Sequence, residues 1–237
     1  MLAPMLRYPF KHIANFRDLG GLPAENGGMT RWGVFFRSAD LSLATSEEMA
    51  FIYNEMNIRS IIDLRAPIEV QMCPDDFMAD SRFTWLHHSI LGTIGFDETG
   101  IATGEHDTPT MFNFYKQMME RCQGEIKALM CDMAAAVKKG AVLFHCSAGK
   151  DRTGVTAMFL LSLCGVNDYD IVSQYEISRT LIAHIRKEDP TGSHYSNMEK
   201  LLAYLKAQYK TPTDYLRHIG VPNAALKTLR DSLYMPL

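Results

Sequence analysis

The 237-residue sequence lacks a long apolar segment. No run reaches the roughly 18 apolar residues that a membrane-spanning helix needs, so we expect no stable membrane insertion. The stretch Met1–Met5 also lacks the charged start and apolar core of a signal peptide, and we therefore expect a cytoplasmic location. The formal net charge is −3, without the basic excess that typically accompanies nucleic-acid binding, so we expect no nucleic-acid partner.

Cysteine is sparse, and its pattern is not that of a disulfide framework. The sequence has five cysteines, an odd number, and no Cys-X-X-Cys pair. Cys122, Cys131 and Cys164 fall in helical patterns and are predicted to be core or half-buried residues. The eight histidines are scattered without the spacing of metal ligands, and the sequence predicts neither a metal nor another cofactor.

One short segment carries most of the chemistry that the sequence offers. Residues 145–154 read HCSAGKDRTG, after an apolar run at 141–144 and before a stretch that suits a buried helix. Cys146 therefore ends a predicted strand, and Arg152 opens a predicted helix. A loop of this kind wraps backbone N–H groups around an oxyanion and points a nucleophile at its centre.

A phosphate monoester suits this loop. The helix N-terminus adds partial positive charge, and the planar fork of Arg152 grips two phosphoryl oxygens at once. The same field stabilises a thiolate, so Cys146 is the predicted nucleophile and forms a phosphocysteine intermediate. Thr153 is predicted to donate to the sulfur, and His145 to orient the loop. The predicted substrate-binding residues are Ser147, Ala148, Gly149, Lys150, Thr153, Asp63 and Arg65.

Beyond this loop, the sequence resembles a known family. The pattern His-Cys, five residues, Arg-Thr is similar to the signature of the cysteine-dependent protein tyrosine and dual-specificity phosphatases. The full string resembles their bacterial tyrosine/serine phosphatase branch, some members of which also accept phosphoinositides. Three further motifs are similar to that branch and occur in the same order: NFRDLGG at 15–21, the stretch from Arg31 to Leu41, and IIDLR at 61–65.

This resemblance covers about 12–70 and 141–232 and is loose over about 75–140. It implies a metal-independent protein-tyrosine phosphatase, with serine/threonine or phosphoinositide activity left open. Its partners are then phosphorylated proteins or phosphoinositides. We expect one phosphatase domain over 1–237. Alternating predicted strands and helices indicate an α/β fold with a mostly parallel sheet flanked by helices, and the catalytic loop at its carboxyl edge.

The donor of a proton to the leaving group is less obvious from the sequence. Many tyrosine phosphatases carry this acid in a Trp-Pro-Asp loop, and no Trp-Pro-Asp occurs here. Asp151 is the first candidate, although helix capping alone would also explain a carboxylate there. Asp63 is second, with a salt bridge to Arg65 or Arg17 as the favoured alternative. The third group lies in a predicted loop at 92–109 and comprises Asp97, Glu98 and Asp107.

Several alternatives stay open at this stage. Lys150 either binds a second anionic group or the phosphate itself, or it is a solvated lysine at the loop rim. Cys73 is a candidate resolving thiol for Cys146. A phosphate-binding pseudophosphatase and a sulfur-transfer enzyme compete with the phosphatase, but the Arg152–Thr153 pair favours phosphate chemistry. Residues 92–139 are a candidate lid, and core packing is the preferred interpretation of the methionines within its helical part.

The pattern of apolar residues and breakers also predicts the main elements. Strands are predicted at Trp32–Arg37, Ile58–Leu64 and Arg82–Ile90. Helical segments are predicted at about 45–57, 110–139, 168–186, 195–209 and 212–233.

Overall fold

A five-stranded sheet forms the centre of the computed structural model, which describes residues 5–90, 111–183 and 194–236. Across the sheet, the strands are β1 (Arg17–Asp18), β3 (Phe35–Ser38), β6 (Ala141–His145), β4 (Ile58–Asp63) and β5 (Thr84–His87). The last four are parallel, and only β1 is antiparallel to its neighbour. Two short strands, β2 (Met29–Thr30) and β7 (Tyr234–Met235), form a separate antiparallel pair. The predicted α/β class with a mostly parallel sheet is confirmed.

Helices pack on both faces of this sheet. The helices of the described residues are α1 (Ser46–Asn54), α2 (Pro67–Met72), α3 (Met111–Arg121), α4 (Gln123–Ala136), α5 (Asp151–Leu163), α6 (Asp168–Ile182), α7 (Tyr195–Tyr209), α8 (Pro212–His218) and α9 (Asn223–Leu233). None of them combines the length and the apolar character needed to cross a bilayer.

The sheet separates two hydrophobic cores, as strand alternation requires. On β6, Val142 and Phe144 point into the larger core, which contains residues of α3 to α9. The side chains of Ala141 and Leu143 point into the smaller core, which α1 covers together with the N-terminal aromatic residues. Because β6 is buried on both faces, its sequence is continuously apolar, and this made the strand easy to predict.

The carboxyl ends of the parallel strands lie side by side. In the register of the sheet, Ser38 of β3 and Asp63 of β4 both pair with His145 of β6, and Asp63 also pairs with His87 of β5. Cys146 follows His145 directly. The nucleophile therefore emerges at the centre of this edge, where loops from neighbouring strands surround it.

The predicted elements agree with the structure in type and differ mainly in their ends. Helix α1 begins where predicted because Thr45 and Glu48 form a capping box, with Glu48 N–H donating to Thr45 Oγ1 and Thr45 N–H to Glu48 Oε2. Helix α2 and strand β7 were not predicted. Both are short, and β7 is stabilised by pairing with β2 some 200 residues earlier in the sequence.

The methionines of the candidate lid belong to the fold itself. Met118 and Met119 of α3 and Met130 and Met133 of α4 are buried in the larger core, together with α7 and α9. This is the core-packing interpretation of the methionine pattern. The rest of the candidate lid, including Asp97, Glu98 and Asp107, lies outside the described residues. Cys122 and Cys164 are buried and Cys131 is half-buried, as predicted.

Candidate active site

Cys146 lies in the catalytic loop, which we define as residues 146–151. The loop follows β6, and its last residue, Asp151, is the first residue of α5. Cys146 is only 2% exposed. The hydroxyl of Thr153 donates to the sulfur over 3.1 Å, as the sequence predicted. Arg152 and the buried Arg37 both interact electrostatically with Cys146. The sulfur thus has a hydrogen-bond donor and two arginine cations around it.

The catalytic loop is held from behind through its carbonyl groups. The side-chain amide of Asn15 donates to the carbonyl oxygens of Ala148 and Gly149, at 2.9 Å each. Arg37 Nη2 donates to the carbonyl of Gly149 at 2.8 Å and of Lys150 at 3.3 Å. A trans peptide directs its N–H opposite to its C=O. The N–H groups that follow these carbonyls therefore point to the other side, into the cradle in front of Cys146.

Gly149 makes this turn of the catalytic loop feasible. Its φ angle is +65°, in the left-handed region that favours glycine. A Cβ at this position would lie 2.2 Å from the carbonyl oxygen of Ser38, at the end of β3. The loop consequently packs directly on the backbone of the neighbouring strand, and any larger residue would push it away.

The N-terminal motif at 15–21 supports the same loop. Arg17 donates to Asn15 and, through Nη2, to Ser178 Oγ at 2.8 Å and to the carbonyl of Gln174 at 2.9 Å. Arg37 donates to Gln174 Oε1 at 2.8 Å, so β1, β3 and α6 are joined behind the loop. Burial lowers the pKa of Arg37 to about 10, which still leaves it charged at neutral pH. The motif therefore supports the shape of the cradle, and Arg37 adds a positive charge behind it.

Arg152 is engaged by a carboxylate that sequence reasoning missed. Glu69 of α2 accepts hydrogen bonds from both Nη1 and Nη2 of Arg152 and one from Ser147 Oγ. Burial alone raises the pKa of Glu69, but the hydrogen bond and charge of Arg152 outweigh it and lower that pKa to about 2. Helix α2 begins with Pro67, and the Glu69 carboxylate accepts from the N–H of Ala66. A proline followed two residues later by a glutamate is a helix-start signature that was readable in the sequence.

The bidentate contact between Arg152 and Glu69 indicates that this corner of the site binds oxyanions. The guanidinium fork and a hydroxyl converge on one planar anion, the geometry that also suits two phosphoryl oxygens. Burial works against the charge of Arg152, but Cys146 and Glu69 raise its pKa above the ordinary value. The corner is thus an oxyanion site beside the nucleophile, and an internal carboxylate occupies part of it.

Asp151 has partners on both carboxylate oxygens. The hydroxyl of Tyr115 donates to Oδ1, and the ammonium of Lys150 lies 3.5 Å from Oδ2. Tyr115 comes from α3. Lys150 is 4% exposed, so the interpretation as a solvated rim lysine does not fit its place. The structure therefore brings a hydroxyl and an ammonium to the two oxygens of Asp151.

Asp63 and Arg65 lie behind the loop. Both are fully buried, and Arg65 Nη2 donates to Asp63 and to Asp75 at 2.7 Å each, the salt bridge favoured for Asp63 from the sequence. Ligand atoms of Asp63, Asp75 and His145 lie within 4.8 Å of one another, but Arg65 already supplies a positive charge to both carboxylates. Burial raises the pKa of Asp75 to about 7. This placement favours support of the loop over contact with a substrate.

Comparison with known proteins agrees with this geometry. The model of a family described as "tyrosine phosphatase family" matches residues 8–235. The chain belongs to the tyrosine phosphatase family. The match includes the segment 75–140, where the resemblance in sequence was loose. The phosphatase therefore matches its family across both cores and the whole catalytic loop.

Two curated relatives bear related names. A tyrosine-protein phosphatase of Nostoc commune is 31% identical over 218 residues, which cover 83% of this phosphatase and 73% of that protein. A candidate tyrosine-protein phosphatase of Cupriavidus necator is 31% identical over 171 residues, 70% of this chain and 60% of that one. Among solved structures, P. aeruginosa TpbA aligns with a TM-score of 0.43 and 17% identity, over 81% of this chain and 88% of that chain. The predicted family and its enzymatic nature are confirmed by the family match and the curated relatives.

Proposed function

We propose that this phosphatase hydrolyses phosphotyrosine in proteins through a phosphocysteine intermediate. The observation that carries the proposal is the convergence of three groups at one point. The sulfur of Cys146 accepts from the hydroxyl of Thr153 and interacts electrostatically with Arg152, whose fork holds a carboxylate beside the loop. The names of the curated relatives support the substrate class.

The first step transfers the phosphoryl group to sulfur. The Cys146 thiolate attacks phosphorus, the S–P bond forms, and the bond to the ester oxygen breaks. Arg152 and the loop N–H groups balance the negative charge on the phosphoryl oxygens in the transition state. Asp151 gives its proton to the departing oxygen, so that an alcohol or phenol leaves instead of an alkoxide.

The second step regenerates the enzyme. A water molecule attacks phosphorus, gives a proton to the Asp151 carboxylate, and the S–P bond breaks with its electrons on sulfur. The hydroxyl of Thr153, 3.1 Å from the sulfur, stabilises the thiolate that leaves. Inorganic phosphate then dissociates. Asp151 acts once as acid and once as base, which returns the site to its initial protonation state.

Lys150 is the basis for a wider substrate range. Its ammonium is held inside the site, next to Asp151, and adds a cation to the cradle. We expect Lys150→Ala to lower kcat/KM for mono- and bisphosphorylated phosphoinositides more than for a phosphotyrosine peptide, by roughly tenfold for each lost charge contact. A phosphoserine peptide completes the panel, assayed beside the wild type and Lys116→Ala, an exposed lysine of α3. Equal losses on all substrates would show that Lys150 serves the transferred phosphate or Asp151 alone.

The negative charge of Glu69 leads to the prediction that its removal strengthens the binding of inorganic phosphate. A phosphoryl group and Glu69 are both anions at Arg152, and their repulsion weakens substrate binding. Replacing Glu69 by glutamine is expected to lower the inhibition constant for inorganic phosphate by roughly five- to tenfold, a value reduced for the partial exposure of the carboxylate. Glu47→Gln, on the exposed side of α1, is the matched control. A rise in the inhibition constant would instead make Glu69 a residue that orients Arg152 for the phosphate.

A further inference from the structure

Two buried tyrosines stand behind Asp151 and have no part in the transfer steps described above. Tyr115 is fully buried on α3, and its hydroxyl donates to Oδ1 of Asp151. Tyr175, buried on α6, has its hydroxyl 2.7 Å from that of Tyr115. Burial of a hydroxyl is costly unless it is hydrogen-bonded. The fold therefore commits two buried hydroxyls to one carboxyl group of the catalytic loop.

The directions of these hydrogen bonds follow from the available protons. A phenol has one O–H to donate, and an ionised carboxylate only accepts. The single O–H of Tyr115 donates its hydrogen bond to Asp151. Tyr175 is therefore the donor in the hydrogen bond between the two phenols. An ordered pair of hydrogen bonds thus runs from α6 through α3 to the catalytic loop.

The place of Tyr175 depends on the last glycine of the HCSAGKDRTG string. A Cβ on Gly154 would lie 2.8 Å from Cδ2 of Tyr175, too close for two carbon atoms. The rings of Tyr115 and Tyr175 meet edge to face, with 6.4 Å between their centroids. Gly154 therefore leaves space on α5 for the tyrosine pair, one turn after Asp151.

We infer that Tyr115 is a positioning residue for Asp151 and that Tyr175 holds Tyr115 in place. The inference rests on the proposed function, in which Asp151 protonates the leaving group. A carboxyl group rotates broadly about its last torsion, so an unrestrained Asp151 would offer its proton in many directions. Because Tyr115 donates to Oδ1, the transferable proton is left to Oδ2, the oxygen 3.5 Å from the Lys150 ammonium. The tyrosine thereby selects the oxygen and the direction from which the proton is delivered.

Removal of the single hydroxyl tests this role. In Tyr115→Phe we expect kcat/KM for an alkyl phosphate to fall roughly 10- to 100-fold, the scale of a misplaced catalytic group. An activated aryl phosphate needs little help from an acid in the first step, which kcat/KM reports, so its kcat/KM is expected to change far less. Inhibition by inorganic phosphate is expected to stay the same, because Tyr115 contributes nothing to the oxyanion cradle. Tyr175→Phe is expected to show the same selectivity with a smaller loss.

Tyr215→Phe is the matched control. This tyrosine is equally buried, and its hydroxyl donates to the carbonyl of Met119 at 2.8 Å. It stacks on Phe159, which lies eight residues after Asp151 on α5, about 12 Å along the helix axis. Loss of this hydroxyl is expected to leave both kcat/KM values unchanged.

A double-mutant cycle separates the inference from the function on which it rests. In an Asp151→Asn background, Tyr115→Phe is expected to cause no further selective loss. Equal losses on the two substrates, a selective loss that persists without Asp151, or weaker phosphate inhibition would each overturn the positioning role and leave the phosphocysteine mechanism untouched. If Asp151→Asn itself showed no selectivity for the alkyl phosphate, the acid assignment would fail, and the role of Tyr115 with it.

Discussion

Cys146→Ser is expected to lower kcat for an aryl phosphate by roughly 10⁴- to 10⁶-fold, the range for loss of a covalent nucleophile. Serine fits the 2%-exposed position, but it has no adjacent base, and an aliphatic hydroxyl stays protonated even beside Arg152 and Arg37. The oxyanion cradle remains intact, and the negative charge of the thiolate is removed. Calorimetry is therefore expected to show that the variant binds inorganic phosphate at least as tightly as the wild type.

The control for this variant is Cys73→Ser, which changes an exposed cysteine at the end of α2. It is expected to keep full activity under reducing conditions. Two results would contradict the account. Activity retained in Cys146→Ser would show that Cys146 is not the nucleophile. Absence of turnover in the wild-type enzyme would favour the pseudophosphatase alternative.

Asp151→Asn is expected to lower kcat/KM for an alkyl phosphate by roughly 10²- to 10⁴-fold, the usual contribution of a general acid. The loss of kcat/KM on an activated aryl phosphate is expected to be much smaller, because that leaving group departs without a proton and kcat/KM does not include the hydrolysis of the phosphocysteine. Asparagine keeps the size of the side chain and can still accept from Tyr115 at its amide oxygen. The selectivity between leaving groups, measured with purified enzyme at one pH, is therefore the diagnostic quantity.

A second explanation for Asp151 is that it merely stabilises the start of α5. Asp168 occupies the same first-turn position on α6, so Asp168→Asn controls for the interaction of a carboxylate with a helix N-terminus. This control is expected to lose some stability to thermal unfolding and none of its kcat/KM. Equal losses of kcat/KM on alkyl and aryl phosphates in Asp151→Asn would reduce Asp151 to this structural role.

The catalytic loop was predictable because the groups that carry its chemistry lie within ten consecutive residues, 145–154. The apolar run of β6, the small residues of the loop and the start of α5 each follow a local rule. Thr153 lies close enough in sequence to Cys146 for its contact to be foreseen. The buried strand β4 likewise follows from its β-branched residues.

The residues around the loop were not predictable in the same way. Glu69 and Tyr115 reach the site from α2 and α3. The start of α2 was readable at Pro67, but no local pattern shows that Glu69 contacts Arg152 or that Tyr115 contacts Asp151. Asn15 supports the loop from 133 residues away, as the hydrogen bond to Ala148 shows. The burial of Lys150 depends on packing that composition does not reveal. The sequence predicted the segments themselves but not the contacts between distant segments.

The most direct test is to locate the phosphoryl group during turnover. The enzyme is mixed with an aryl phosphate, quenched in acid within the first turnover, and digested for mass spectrometry, while release of the phenol is followed in parallel. The account predicts a burst of phenol and a phosphoryl group on the peptide that contains Cys146. A phosphoryl group on another residue, or a burst without any phosphoryl group on Cys146, would contradict it.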